Sequence, residues 1–175
     1  MEYNGLLLHL PREIKSFLAI FVVVLSVGYF TGLLFVGQTE TTTPAGIEEN
    51  YLGNEEVPDA EVMKFKKGER EMLTIVHTHI LSMSFIFFLL GGILLFTRLP
   101  KKLKFFLILE PFFSVLITFG GIYFVWQEVS WMKYVVLISG VLMTLNFLSS
   151  VLIVLYQLFF LKLPKSRTGS PFSGS

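Results

Sequence analysis

The chain contains 175 residues, 53 % of them hydrophobic, and carries a formal net charge of +1. So small a net charge gives no electrostatic attraction to nucleic acid. The absence of cysteine excludes disulfides, thiolate metal sites and thiol redox chemistry within the chain.

The first predicted elements are an interfacial segment at residues 1–16 and an apolar run at 17–36. About 20 residues are enough to cross about 30 Å of hydrocarbon at about 1.5 Å per residue. We interpret this run as an uncleaved transmembrane span, because it is longer than the apolar part of a signal peptide and no A-x-A-like site follows it. Within it, Gly28 and Gly32 have a spacing that permits close approach of another helix.

An acidic outer loop at 37–72 follows, with one predicted helix inside it. Thr43 precedes Pro44, and acidic residues come shortly afterwards, which is typical of a helix start. Gly53 is expected to end this helix after about two turns, because glycine is favoured just past a helix.

Three more apolar runs complete the chain, separated by short turns and followed by a small polar tail that we expect to be disordered. In order, these segments are a span at 73–97, a basic turn at 98–104, a span at 105–126, an outer turn at 127–133, a span at 134–161 and the tail at 162–175. The sequence therefore predicts an all-α polytopic membrane protein, with four transmembrane helices in an up-down-up-down bundle.

The distribution of lysine and arginine predicts the orientation. Nine of the 14 lysines and arginines lie in three segments: two in residues 1–16, four in 98–104 and three in 162–175. Four crossings put these three segments on the same side of the membrane. Because basic loops stay in the cytoplasm, we expect both termini to be cytoplasmic, in the inner membrane of a bacterium.

Polar residues recur at helical spacing inside the spans. Glu110 is the one acid within a span, and we expect its partners among Gln157, Tyr156 and Arg98, which lie at a similar depth. One interpretation is that such residues hold the helices together, and another is that they carry protons or ions. The polar seams are Thr74, His77, Ser84 and Gly91 in the second span, Glu110, Ser114, Thr118 and Gly121 in the third, and Ser139, Met143, Asn146, Ser150 and Gln157 in the fourth.

Two histidines near the outer end of the second span, His77 and His79, are the candidate cofactor ligands. Residues two apart on a helix point in different directions, so the pair cannot chelate one ion, and we expect His77 to face the bundle. One use is axial ligation of a haem b, whose second ligand must come from a methionine, an open position or another subunit, because His9 belongs to the opposite side. Another is Cu(I) binding by His79 and Met83. The third use is hydrogen bonding without any cofactor.

Three stretches of this sequence are similar to small four-span bacterial inner-membrane proteins of unassigned function. They are Gly46-Ile-Glu-Glu-Asn-Tyr-Leu-Gly-Asn54, Glu71-Met-Leu-Thr-Ile-Val-His-Thr-His79 and the third span over residues 105–121, with its Leu-Glu-Pro and Phe-Gly-Gly. The resemblance implies that the outer loop and the paired histidines belong to one functional patch.

Together these features predict an accessory or assembly component of a respiratory or electron-transfer system, with a haem or metal site near the outer face. We expect no catalytic residues, because no nucleophile lies beside a base. The alternatives are a small proton- or ion-coupled transporter or channel subunit that uses the polar seam of Glu110, Asn146 and Gln157, and a purely structural membrane protein. The expected partners are the lipid bilayer, further copies of the chain, or subunits of a respiratory complex.

Overall fold

A computed structural model of the chain describes residues 3–55 and 62–161, and all regular secondary structure in this part is helical. The predicted tail at 162–175, and residues 56–61 of the acidic loop, lie outside the described residues. Four of the helices are long and apolar enough to cross a membrane. The helices are α1 (Arg12–Gln38), α2 (Pro44–Leu52), α3 (Glu69–Leu95), α4 (Lys101–Trp126) and α5 (Met132–Phe159), preceded by a short 3-10 helix (Leu6–His9).

The bundle is built around the pair α4 and α5, with α3 packed on α4 and α1 packed mainly against α5. Phe147, Leu90 and Val115 lie in its buried apolar core. The outward faces are equally apolar, since Phe17 and Leu152 are each more than 60 % exposed. A helix that is apolar all round is solvated by lipid rather than by water. The predicted four-helix membrane bundle is therefore confirmed.

One end of the bundle is closed by residues 3–10, which we call the N-terminal segment. The amide of Gly5 donates to the carbonyl of Thr97 at 3.3 Å, and that of Leu7 donates to Phe96 at 2.9 Å. Gly5 has a φ of 90°, which glycine adopts without steric cost. Because the Leu7 side chain is fully buried, the N-terminal segment packs into the end of the core.

The opposite end, which the sequence predicts to face outward, is covered by a segment that we call the outer cap and that consists of α2 and residues 62–68. The Thr43 hydroxyl oxygen accepts from the amide of Gly46 at 3.1 Å, and α2 ends before Gly53, whose φ is 86°. The helix predicted inside the outer loop is thus confirmed. Its Ile47 is 3 % exposed and packs into a second apolar cluster with residues of α3, α4 and α5. The outer cap therefore adds a small core of its own.

Lysines hold the outer cap to its surroundings. The Trp126 indole N–H donates to the carbonyl of Lys67 at 2.7 Å, which links the cap to the end of α4. The ion pairs among the described residues are Lys64 with Glu40 at 2.7 Å and with Glu49 at 4.0 Å, Lys66 with Glu128 at 2.6 Å, Lys67 with Glu71 at 2.7 Å, and Lys133 with Glu48. Five acids at this end of the molecule are thus engaged by lysine ammonium groups.

Candidate intramembrane polar site

The polar residues of α4 and α5 meet at the interface between these two helices. Glu110, Ser114 and Thr118 are spaced by four residues and therefore lie on one face of α4. All three are buried. The buried polar residues of α5 are Ser139, Asn146, Ser150 and Gln157. The predicted inward orientation of these two seams is confirmed, whereas their function stays a prediction.

Glu110 is the centre of this arrangement. Its Oε1 accepts a hydrogen bond from the Ser114 hydroxyl, and its Oε2 accepts one from Nδ2 of Asn146 at 2.6 Å. The amide oxygen of Asn146 accepts in turn from the Ser150 hydroxyl at 3.2 Å. We call these four residues the Glu110 site. Glu110 is 9 % exposed and Ser150 is 1 % exposed, so the site is shielded from both water and lipid.

Glu110 has no basic partner in the described part of the chain, where every ion pair lies at the outer end of the bundle. The partners predicted from depth alone are wrong. Gln157 binds the backbone of Arg98 instead, and Tyr156 is exposed. An unpaired carboxylate is costly inside a membrane bundle. Among the described residues, the Glu110 carboxyl is therefore held by the neutral donors Ser114 and Asn146 rather than by a basic side chain.

Two further polar contacts lie beside the Glu110 site. The hydroxyls of Thr118 and Ser139 are 2.7 Å apart and join α4 to α5 closer to the outer end. The Tyr29 hydroxyl of α1 is 3.2 Å from that of Thr144 on α5, and the Tyr29 ring stacks on Phe147 with centroids 3.8 Å apart. These contacts extend the polar interface along the bundle and fasten α1 to it.

Tyr29, and not the glycine pair beside it, makes the polar contact of α1 with α5. Gly28 and Gly32 are exposed, and no described atom lies within 4 Å of a Cβ built on either glycine. The close helix approach predicted at these glycines is therefore not found. The sequence analysis missed Tyr29, although a hydroxyl in the middle of an apolar run was a signal that could have been used.

Gln157 belongs to a separate contact nearer the N-terminal segment. Its Oε1 accepts from the Arg98 amide at 2.7 Å, and its Nε2 donates to the Arg98 carbonyl at 3.0 Å. It lies seven residues beyond Ser150 on α5, which corresponds to about 10 Å along the helix. Gln157 therefore ties α5 to the turn between α3 and α4, and it does not bind Glu110.

His77 is exposed, so the expectation that it faces the bundle is wrong. It lines a shallow groove whose other residues, Glu69, Arg70, Leu73 and Thr74, also belong to α3. The buried stripe of α3 runs instead through Met72 and Phe87. His77 is thus accessible from outside the bundle, near its outer end.

His79 has a defined orientation. Its Nδ1–H donates to the carbonyl of Ile75 at 2.8 Å, and its ring stacks on Phe119 of α4 with centroids 4.7 Å apart. The other ring nitrogen, Nε2, takes no part in this bond. Met83, one turn further along α3, is half-buried against the core. Within the described residues no group of three His, Asp or Glu side chains is arranged to hold a metal ion.

Four apolar spans around a buried carboxyl define an integral membrane protein of the helical-bundle class. A family model described as a transmembrane helical domain, Aq_1264_TM, matches residues 41–166, and the chain belongs to this family. The match includes α2 to α5 and confirms the resemblance to a family of membrane proteins. No curated protein and no solved structure matches the chain.

Proposed function

We propose that this membrane protein binds a proton or a small cation at Glu110 and acts as a proton- or ion-coupled transporter or channel subunit. One observation carries the proposal: a buried carboxyl group without a basic partner in the described residues, held by Ser114 and Asn146 between α4 and α5. Ionisable residues inside membrane bundles are expensive, and they commonly mark ion or proton pathways.

A purely structural role gives a weaker account of the same residues. A neutral glutamine fills a similar volume and offers both donors and acceptors, without the cost of a charge in hydrocarbon. The carboxyl differs from that amide chiefly in its ability to gain and lose a proton or to bind a cation. The polar pair Thr118 and Ser139 continues the seam toward the outer end, as a pathway requires.

The test is ion or proton flux in proteoliposomes that contain the purified protein. We expect Glu110→Gln to abolish most of the flux, because the amide cannot release a proton or neutralise a cation. Glu128→Gln, which changes an exposed acid of the outer turn, is the matched control and should keep the wild-type flux. Equal flux in wild type and Glu110→Gln would rule out the proposal.

A second candidate is the accessory role in an electron-transfer assembly, with a haem or metal at the histidines. The bond from His79 to the Ile75 carbonyl favours it, because fixing Nδ1–H in this way orients a ligating imidazole and leaves Nε2 for a metal. A haem would need its second ligand from another chain, since His9 lies at the opposite end of the bundle. Copper would draw on His79 and Met83.

Absorption spectra distinguish this candidate from the first. After expression with haem supply, a haem site gives a Soret band that His79→Ala or His77→Ala removes, while Glu110→Gln leaves it unchanged. If the purified protein shows no such band, haem binding is excluded. Copper bound in a stoichiometric amount, and lost in His79→Ala, would indicate the metal alternative.

The basic residues provide the proposed orientation. Arg12 and Lys15 lie at the end closed by the N-terminal segment, as do Arg98 and Lys101 of the α3–α4 turn. Because short basic loops are retained in the cytoplasm, we assign this end to the cytoplasm of a bacterium and the outer cap to the far side of the inner membrane.

A further inference from the structure

We infer that the Glu110 site takes a sodium ion, bound by the carboxylate of Glu110 and by the neutral oxygens of Ser114, Asn146 and Ser150. This inference rests on the proposed function and names the ion. The four residues already form one connected group, with Asn146 2.6 Å from Glu110 and 3.2 Å from Ser150. A cation that enters therefore finds the four side chains already together, and only the Asn146 amide has to turn.

The donor set consists of hard oxygen atoms: one carboxylate, two hydroxyls and one amide oxygen. Such oxygens suit hard cations, whereas copper and zinc prefer imidazole and thiolate ligands. Pro111 lies inside α4 directly after Glu110 and lacks an amide proton, so the Leu107 carbonyl is without its usual helical donor. A carbonyl without its helical donor can accept another donor or a cation.

The charge of the site selects a monovalent ion. One carboxylate neutralises one positive charge, whereas Mg²⁺ or Ca²⁺ would leave a net positive charge buried among apolar side chains, which is costly. The nearby apolar residues Val115, Phe147 and Val151 are buried and bring no further charge. A proton alone needs only the carboxyl, whereas a cation uses the neighbouring oxygen atoms as well.

Rotation of the Asn146 amide by half a turn converts the observed arrangement into the cation-bound one. The amide oxygen then faces Glu110, and the NH₂ group faces Ser150. The Ser150 hydroxyl can accept this bond because a hydroxyl is both donor and acceptor. A sodium ion beside the Glu110 carboxylate then also meets the Asn146 amide oxygen.

Carbodiimide labelling of the full-length protein in detergent tests this inference. Dicyclohexylcarbodiimide reacts with protonated carboxyl groups in apolar surroundings, and mass spectrometry measures the modification of Glu110. At constant ionic strength and constant pH, NaCl should slow the reaction relative to choline chloride. A sodium concentration ten times its Kd leaves about one site in eleven free, so labelling should slow about tenfold.

Variants separate sodium binding from the carboxyl itself. Ser150→Ala and Asn146→Leu should still be labelled but should lose the sodium protection. Ser149→Ala removes a neighbouring hydroxyl that is exposed and donates to the Leu145 carbonyl, so it should keep the protection. Labelling at one rate in every salt would overturn the sodium inference while leaving proton binding at Glu110 intact.

Thermal unfolding gives a second readout if Glu110 resists the reagent. A bound ion stabilises the native state, so NaCl should raise the Tm above its value in choline chloride, and Glu110→Gln should remove the difference. An unchanged Tm, together with a lack of labelling, would overturn the sodium site. Failure of the proposed function would appear separately, as equal flux in wild type and Glu110→Gln.

Discussion

At the scale of single residues, Gln157 shows how one side chain can secure a turn at the end of a membrane bundle. Its two hydrogen bonds satisfy both the amide and the carbonyl of Arg98, which lies between α3 and α4. Gln157 is 5 % exposed, so water does not readily take its place. Its contribution to stability should therefore be large for a single polar residue.

Gln157→Leu should lower the free energy of unfolding by about 1–3 kcal/mol, because it leaves backbone groups of Arg98 unpaired. Denaturant-induced unfolding of the detergent-solubilised protein measures this change. Gln127→Leu is the control, since the side-chain amide of Gln127 is exposed and donates only to the Tyr123 hydroxyl at 3.3 Å. A similar loss in both variants would contradict the role given to Gln157.

The residues of the Glu110 site could be found from the sequence, but their pairing could not. A lone acid in an apolar run and polar residues spaced by four indicate which face of each helix turns inward. They do not indicate which residue of the next helix lies at the same height, because that depends on the relative shift of two helices. Glu110 therefore meets Asn146 rather than Gln157.

His77 illustrates a second limit on reading faces from spacing. The seven-residue spacing of His77, Ser84 and Gly91 predicts that all three face the bundle, yet only Gly91 among them is buried. The repeat identifies a common face, but neighbouring helices need not cover that face along its whole length. Near the outer end of α3 the buried residue is Met72, whereas His79, seven residues later, stacks on Phe119 but stays exposed.

At the scale of helices, the contact between α4 and α5 depends on a glycine. A Cβ at Gly121 would lie 2.7 Å from Cγ2 of Val136, which is itself buried on α5. Gly121→Ala should therefore lower the free energy of unfolding by about 1–3 kcal/mol through overpacking. Thermal unfolding in detergent checks this expectation.

The neighbouring glycine is the matched control for this substitution. A Cβ at Gly120 would meet no described atom within 4 Å. Gly120→Ala should therefore raise the free energy of unfolding by up to about 1 kcal/mol, because alanine loses less conformational freedom in a helix. If both substitutions had the same effect, close packing at Gly121 would not be the cause.

The outer cap is the element whose stability should respond to pH. Hydrogen bonds from Lys64 and Lys66, assisted by their positive charges, lower the pKa of Glu40 and of Glu128 below the ordinary value of 4.5. A carboxyl whose pKa is lowered in the folded state stabilises that state above its unfolded pKa and loses this effect as pH falls through the folded value. The cap should therefore loosen progressively below about pH 4.5.

Hydrogen-exchange protection factors, corrected for the intrinsic effect of pH, measure this loosening. The amides of Lys64 and Lys67 are suitable probes, since they donate to Asn54 Oδ1 at 2.7 Å and to the Tyr51 carbonyl at 3.2 Å. Protection should fall on acidification, and Lys66→Met should flatten this response. A response of equal size in Lys66→Met would show that the pair of Lys66 with Glu128 does not hold the cap.

At the scale of the whole molecule, the four crossings were predictable because they require only length and apolarity. The arrangement of the helices could not be predicted in the same way, because a span that faces lipid on most sides carries little information about which helices it contacts. The weak packing of α1 and the burial of Leu7 beneath the α3–α4 turn depend on contacts between distant parts of the chain. No local pattern in the sequence indicates such contacts.

The proposed orientation can be tested with single introduced cysteines, because the natural sequence has none. A membrane-impermeant maleimide added to intact cells or spheroplasts should label Lys66→Cys in the outer cap. It should label Lys101→Cys, at the start of α4, only after permeabilisation. Labelling of both positions from the same face would refute the four-crossing topology, and the reverse pattern would refute the proposed orientation alone.

The position of Leu7 also constrains how the protein is made. Gly5 and Leu7 leave the ribosome well before their backbone partners, Thr97 and Phe96, which are synthesised about ninety residues later. That end of the bundle therefore stays open until the helical hairpin of α3 and α4 has entered the bilayer. An intermediate arrested before this stage should expose residues 3–10 to protease, whereas the finished chain should protect them.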